Sequence, residues 1–165
     1  MLLQYFYKKE NNQRYNADKI YIKIVKQSKD LINNNDYFLF KNFKSSFEVI
    51  SIITIFYLKN IKKYKILNFK SINENIVKNL INDLDQSLRE SGIGDMSIGK
   101  YVKSYVKKFY FRLSKLDSIF EDYNDKNFSH YLKDLSIIKK DKISLVLSIF
   151  KKIEDEIGIV LTDKN

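Results

Sequence analysis

The sequence contains no cysteine, no proline and no tryptophan, and its one histidine is His130. Without cysteine there can be no disulfide framework and no Cys-ligated zinc. A single histidine excludes both a catalytic Cys/His pair and a metal site built from several histidines. We therefore predict no catalytic residue, no metal site, no cofactor and no small-molecule substrate, which argues against an enzyme.

Long apolar runs are missing as well. The longest, Val49 to Leu58, spans ten residues and is interrupted by Ser51 and Thr54, whereas a membrane span needs about 18 or more. The run from Met1 to Tyr7 is too short for a signal-peptide core, and no Arg-rich presequence is present. We therefore expect a protein that acts in the cytoplasm.

The composition is that of a globular protein with a strong positive charge. Hydrophobic residues make up 44% of the chain and charged residues 30%, and 30 Lys and Arg against 20 Asp and Glu give a net charge of +10. That charge favours anionic partners such as nucleic acid, ribosomes, anionic lipid headgroups or acidic protein surfaces. With no linker tract and no internal repeat, residues 1–165 are expected to form one domain.

Apolar residues recur three and four positions apart along nearly the whole chain, which predicts an all-α protein, a compact bundle of about six helices. The second helix is apolar on nearly every side and should lie at the centre. Residues 59–70, with five lysines and no acid, are expected to form an exposed loop.

The predicted helices cover residues 17–31, 45–62, 71–91, 95–120, 127–138 and 141–158. Their predicted N-caps are Asn16, Ser45 with Glu48, Ser71 with Glu74, Asp95 or Ser97, and Asp141.

Three of the four glycines fall within Ser91–Tyr101, which reads S-G-I-G-D-M-S-I-G-K-Y. Part of it, G-D-M-S-I-G-K, matches the first half of a phosphate-binding P-loop. However, Tyr101 occupies the place of the Ser or Thr that binds magnesium, and the motif must follow a strand, which the preceding residues do not predict. We interpret the segment as a junction between helices, with Gly92 ending one helix in the left-handed region and Gly94 completing the turn.

The fourth helix carries the concentrated positive charge. From Met96 to Lys115 it has six basic residues and no acid, and a helical projection places them opposite an apolar stripe. Phe111 projects among the cations as an exposed anchor, and Gly99, which a plain turn does not need, predicts close approach of another backbone or a partner. A merely solvated face remains the alternative. The candidate partner-binding residues are Gly94, Asp95, Gly99, Lys100, Lys103, Lys107, Lys108, Phe111 and Arg112.

The same region resembles a known family. Residues Leu88 to Lys100, followed by Val102-Lys103 and by Phe109-Tyr110 with Arg112, resemble the signature of the ubiquinol-cytochrome c chaperones of mitochondria and alphaproteobacteria. The resemblance covers about residues 15–120, while residues 121–165 match only in being helical. It implies an all-helical chaperone that binds newly made cytochrome b and helps it mature into the cytochrome bc1 complex.

The resemblance also implies a bacterial-type member that works in the cytoplasm, peripheral to the inner membrane where cytochrome b emerges. A ribosome or an anionic membrane surface would be a further partner. The positive charge leaves open a second function, a basic helical module that binds nucleic acid or the ribosome. Against specific nucleic-acid recognition, the sequence has neither a convincing recognition helix nor the glycine-aromatic pattern of an RRM.

Overall fold

A computed structural model describes residues 2–33, 36–121 and 125–162. These residues form α-helices and no β-strand, so the all-α prediction is confirmed. A short 3₁₀ turn at Lys140–Lys142 precedes the last helix. The helices are α1 (Leu2–Asn33), α2 (Phe43–Lys63), α3 (Phe69–Glu90), α4 (Asp95–Glu121), α5 (Asp125–Asp134) and α6 (Ile143–Thr162).

Helix α2 lies at the centre of the bundle, as its uniformly apolar sequence predicts. It packs against α1, α3, α4 and α6, and nearly all side chains from Phe47 to Ile61 are buried. Two of its buried polar side chains bond within the helix: the Thr54 hydroxyl donates to the Ile50 carbonyl at 2.7 Å, and the Asn60 amide donates to the Phe56 carbonyl at 2.9 Å. Such internal bonds reduce the cost of burying polar atoms.

An aromatic cluster ties the C-terminal helices to the centre. The ring of Phe56 on α2 meets those of Phe120, Phe128 and Phe150 edge-on, with centroids 5.1, 6.1 and 6.0 Å away. These partners lie on α4, α5 and α6. The core is therefore continuous from the first helix to the last.

The first two predicted helix starts are wrong. Asn16 caps nothing, because α1 already begins at Leu2 and runs through it. The N-cap of α2 is Asn42, whose side-chain oxygen accepts from the Ser45 backbone N–H at 3.1 Å. The Ser45 hydroxyl instead donates to the Phe40 carbonyl at 2.6 Å, so it anchors the preceding segment.

The observed loop between α2 and α3 is much shorter than the lysine-rich loop predicted at residues 59–70. Helix α2 continues to Lys63 because Ile61 is fully buried and holds this last turn in the core. Helix α3 starts at Phe69, directly after Asn68 in the left-handed region (φ 60°). The capping box predicted at Ser71 therefore falls inside a helix that has already begun.

The segment between α5 and α6 also departs from prediction. Helix α5 ends at Asp134 instead of Ile138, because Ser136 adopts a positive φ of 52° that a helix cannot accommodate. The following residues pair with the connector before α2 through an isolated β-bridge between Phe38 and Ile138. Both side chains are buried, so tertiary pairing replaces the last helical turn.

Helix α6 begins at Ile143 and does not end at Gly158 as predicted; it continues to Thr162. The predicted cap, Asp141, lies in the preceding 3₁₀ turn. A Cβ atom at Gly158 would lie 3.0 Å from the Tyr64 hydroxyl oxygen. Gly158 thus permits close packing of Tyr64 against α6 and does not terminate the helix.

Candidate partner-binding surface

The glycine segment folds as a junction between α3 and α4. Gly92 has a φ of +87°, its N–H donates to the Arg89 carbonyl at 2.9 Å, and the Ile93 N–H donates to the Leu88 carbonyl at 3.2 Å. These two bonds form a Schellman motif, in which a left-handed residue closes a helix. The predicted role of Gly92 is confirmed.

Gly94 begins the next helix. Its carbonyl accepts bonds from the Ser97 and Ile98 N–H groups at 2.9 and 3.1 Å, so Gly94 takes the N-cap position and the predicted cap at Asp95 or Ser97 is wrong. A helix, α3, precedes the glycines where a P-loop would require a strand. The interpretation of this segment as a helix junction is confirmed.

Arg89 holds the two helices together at this junction. Its Nε lies 2.5 Å from an Asp85 carboxylate oxygen on α3, and its Nη1 contacts Asp95 in the first turn of α4. Hydrogen bonds to Asp85 and then to Asp95 raise the pKa of Arg89. Asp95 is exposed, but it already contacts Arg89. Binding a cationic group of a partner through Asp95 would compete with this contact.

No backbone among the described residues needs the small size of Gly99. A Cβ built at Gly99 meets no heavy atom within 4 Å, and the residue is exposed. The predicted close approach therefore does not occur within the described residues. The prediction that a partner approaches there is untested.

The outer face of α4 carries a cluster of exposed lysines, here called the basic face. None of them forms an ion pair with an acid in the part of the chain that the structure describes. The Lys108 ammonium lies 4.5 Å from the centre of the Tyr105 ring. The basic face therefore presents its positive charge to solvent or to a partner. Its lysines are Lys100, Lys103, Lys107, Lys108 and Lys115.

Phe111 lies exposed within the basic face, as predicted. It is 54% exposed, and the charged groups of Arg112 and Lys115 each lie 5.7 Å from the centre of its ring. Such cation–π contacts orient the ring. An exposed aromatic ring among cations is a suitable anchor for a partner that combines apolar and anionic groups.

Arg112 does not lie opposite the apolar stripe as the sequence projection placed it. Residues three or four apart share a helix face, so Arg112 neighbours the buried Phe109 and Leu116. Its Nε and Nη2 donate to the two carboxylate oxygens of Glu48 at 2.8 and 2.7 Å. These bonds raise the pKa of Arg112. Arg112 thus joins α4 to α2, and its charge is already paired.

A groove lies beside the basic face, between α2, α3 and α4. It has a volume of about 830 Å³, and it is open to solvent along one side. Its apolar lining comes from all three helices, and Tyr110, half exposed at its edge, separates it from the basic face. The apolar lining residues are Leu58, Val77, Ile81, Tyr110 and Leu113.

Four lysines surround this groove. Lys59 is engaged, because its ammonium lies 2.9 Å from the Asp117 carboxylate and 5.0 Å from the centre of the Phe120 ring. The other three form no ion pair with any described acid, and Glu74 is the remaining acid of the lining. The rim is therefore positive. These three lysines are Lys62, Lys63 and Lys78.

The structure thus brings most of the predicted residues together on one side of α4 and removes Arg112 from them. The groove was missed, because it joins residues of three helices that no local pattern connects. The one available signal was the lysine-rich stretch 59–70, which was interpreted as a solvated loop. In the described ranges, no group of His, Asp or Glu side chains is arranged to hold a metal ion, and no helix is long and apolar enough to cross a membrane.

Comparisons with known proteins agree with this fold. A profile of the family described as "Ubiquinol-cytochrome C chaperone" matches residues 36–138, well over half of the 165 residues. The crystal structure of the Cbp3 homolog from Brucella abortus superposes with a TM-score of 0.70 at 19% identity, covering 96% of this chain and 88% of that chain. This similarity shows a shared fold. No curated protein sequence matches.

Proposed function

Because the chain belongs to the ubiquinol-cytochrome C chaperone family, we propose that it binds newly made cytochrome b at the cytoplasmic face of the inner membrane. Membership in this family makes it a chaperone of cytochrome bc1 assembly and implies a role other than catalysis. In the proposed role it holds cytochrome b until the client enters the complex. The family match is the observation that carries this proposal.

The basic face of α4, with Phe111 and Gly99, is the proposed contact surface. Its lysines are exposed and form no ion pair with the described acids, so binding an anionic partner would break no ion pair of this kind. Phe111 offers an apolar anchor, and an interface with such an anchor among charges gains both affinity and orientation. Gly99 leaves room for a partner's backbone at the start of the second turn of α4.

Charge reversal on α4 tests the proposal. The variant changes Lys100, Lys103, Lys107 and Lys108 to glutamate, and we expect it to lose cytochrome b from pull-downs of detergent-solubilised membranes. Reversing four exposed charges replaces attraction by repulsion at this surface while leaving the core untouched. The readouts are cytochrome b in the eluate and bc1 activity in a host that needs the complex.

The matched control reverses exposed lysines on other helices. The variant Lys23→Glu, Lys26→Glu, Lys29→Glu, Lys133→Glu changes the net charge by the same amount, and each of these side chains is exposed. It should retain cytochrome b as the unmodified chain does. Unchanged cytochrome b levels and bc1 activity after deletion of the gene would refute the chaperone proposal.

The same lysines support the second candidate function, binding of nucleic acid or the ribosome. Titration of labelled RNA and DNA at two salt concentrations separates the two functions. Phosphate binding through these lysines must weaken steeply as salt rises, because bound counterions are released. A weak response that salt barely changes eliminates this candidate.

A further inference from the structure

The groove between α2, α3 and α4 combines an apolar floor with a positive rim. The floor includes Leu58, Val77 and Leu113, one from each helix, and the packing of three helices leaves this surface uncovered by any described residue. A concave and mostly apolar surface with a few charged groups at its edge is the form that binding sites in proteins usually take. The observation concerns a different set of residues from the basic face.

The shape of the groove fits a helix better than a small molecule. Along α3 its lining runs from Asn73 to Ile81, about 12 Å at 1.5 Å per residue. That length accommodates about two turns of a second helix, whereas sites for small molecules enclose most of the ligand's surface. A helix lying in a groove of this kind places residues i, i+3, i+4 and i+7 on the floor.

The positive rim favours an occupant that carries negative charge. Lys62 and Lys63 border the groove on α2 and Lys78 borders it on α3, and the lining offers Glu74 as the remaining acid, since Asp117 is paired with Lys59. An occupant that carries acidic residues beside its apolar face would place them opposite these lysines. A basic helix of the same apolar face would be repelled.

We propose that the groove between α2, α3 and α4 docks an amphipathic helix of a partner protein whose apolar face is flanked by acidic residues. This goes beyond the proposed function, because it assigns a second surface and the chemistry of its occupant. The groove and the basic face meet at Tyr110, so one partner could occupy the groove while the client contacts α4.

Designed peptides test the proposal with the full chain. The probe is a fluorescent helical peptide of about 14 residues with leucine on one face and glutamate elsewhere, and its twin carries lysine in place of every glutamate. Fluorescence anisotropy should show binding of the acidic peptide and no binding of the basic twin. Equal binding of the two peptides, or no binding of either, overturns the proposal.

Variants assign the binding to the groove. Lys62→Glu, Lys63→Glu, Lys78→Glu should weaken binding of the acidic peptide at least about tenfold, and Val77→Trp, which fills the half-buried floor, should weaken it as strongly. The exposed control Lys23→Glu, Lys26→Glu, Lys133→Glu should bind as the unmodified chain does. Retention of full affinity in both groove variants overturns the proposal.

Two further outcomes are decisive. If a second copy of this chain fills the groove, sedimentation shows concentration-dependent dimers that Val77→Trp abolishes, and the assignment to a partner helix is wrong. The peptide assay contains no cytochrome b, so it can fail while membrane pull-downs still retain cytochrome b. If instead the acidic peptide binds but membrane pull-downs recover no cytochrome b, the proposed function is refuted and the groove assignment stands.

Discussion

At the scale of single residues, the ion pair between Glu48 and Arg112 separates a structural cation of α4 from the exposed lysines that a partner can reach. Glu48 is 3% exposed, and both of its carboxylate oxygens accept bonds from Arg112. A buried carboxylate is costly to desolvate unless a cation and hydrogen bonds compensate it. Arg112 therefore serves the packing of α4 on α2, while the exposed lysines of α4 remain available to a partner.

Removing one member of this pair should destabilise the protein strongly. We predict that Arg112→Ala lowers the free energy of unfolding by about 3 kcal/mol, because it leaves the Glu48 carboxylate buried without a partner. The double variant Glu48→Met, Arg112→Met should recover most of that loss. Urea unfolding followed by circular dichroism measures both, and Lys115→Ala is the exposed control. A loss in Arg112→Ala as small as in Lys115→Ala would contradict this account.

At the scale of elements, the junction between α3 and α4 separates two glycines with different roles. Gly92 is required by its positive φ, since a side chain there strains the backbone. Gly99 lies at the start of the second turn of α4 with no described heavy atom within 4 Å of an added Cβ, where a helix would gain from alanine. Alanine would fit at this position without a steric clash and would favour the helix. The folding of the free protein therefore does not explain why this residue is glycine.

Gly99→Ala distinguishes a folding role from a binding role. We predict that it stabilises the free protein by about 0.5–1 kcal/mol, because alanine restricts the unfolded chain and favours the helix. Capture of cytochrome b should fall, because the added methyl group occupies the space proposed for the partner's backbone. Thermal unfolding and membrane pull-down measure the two effects. If capture is unchanged while stability rises, Gly99 is not part of the contact surface.

At the scale of the whole molecule, α2 connects every part of the core. It packs on α1, α3, α4 and α6, and its Phe56 joins the aromatic rings of α4, α5 and α6. The family match ends at Ile138, before α6 begins, yet the packing gives α5 and α6 the same core as the rest. Helices that share one core are expected to unfold together.

We predict one cooperative unfolding transition for the full chain. Far-UV circular dichroism reports the helices, and tyrosine fluorescence reports tertiary packing around buried tyrosines such as Tyr21 and Tyr57, so the two denaturation curves should coincide. Phe56→Ala should shift both to lower denaturant together, by about 3–5 kcal/mol in stability. Two separate transitions would show that α5 and α6 form a unit of their own, contrary to the single-domain expectation.

Much of this architecture follows from local patterns. Apolar spacing predicted the all-α bundle, the apolar run in α2 predicted its central place, and Gly92 was recognised as a helix end, because periodicity and left-handed caps depend on residues close in sequence. Helix boundaries were less predictable. Helix α3 starts directly after the left-handed Asn68, Ser136 shortens α5 and Gly158 lies inside α6, and each outcome depends on tertiary packing or on an unusual backbone conformation.

The helical class, the glycine junction and the five exposed lysines of α4 could be derived from the sequence, since all three arise from neighbours within one or two helical turns. Three features required the packed molecule: Arg112 pairs with Glu48, 64 residues away, Tyr64 packs closely against Gly158, and three helices form a groove with a positive rim. These features depend on contacts between side chains that are far apart in the sequence. Such contacts produce no periodic pattern from which they could be predicted.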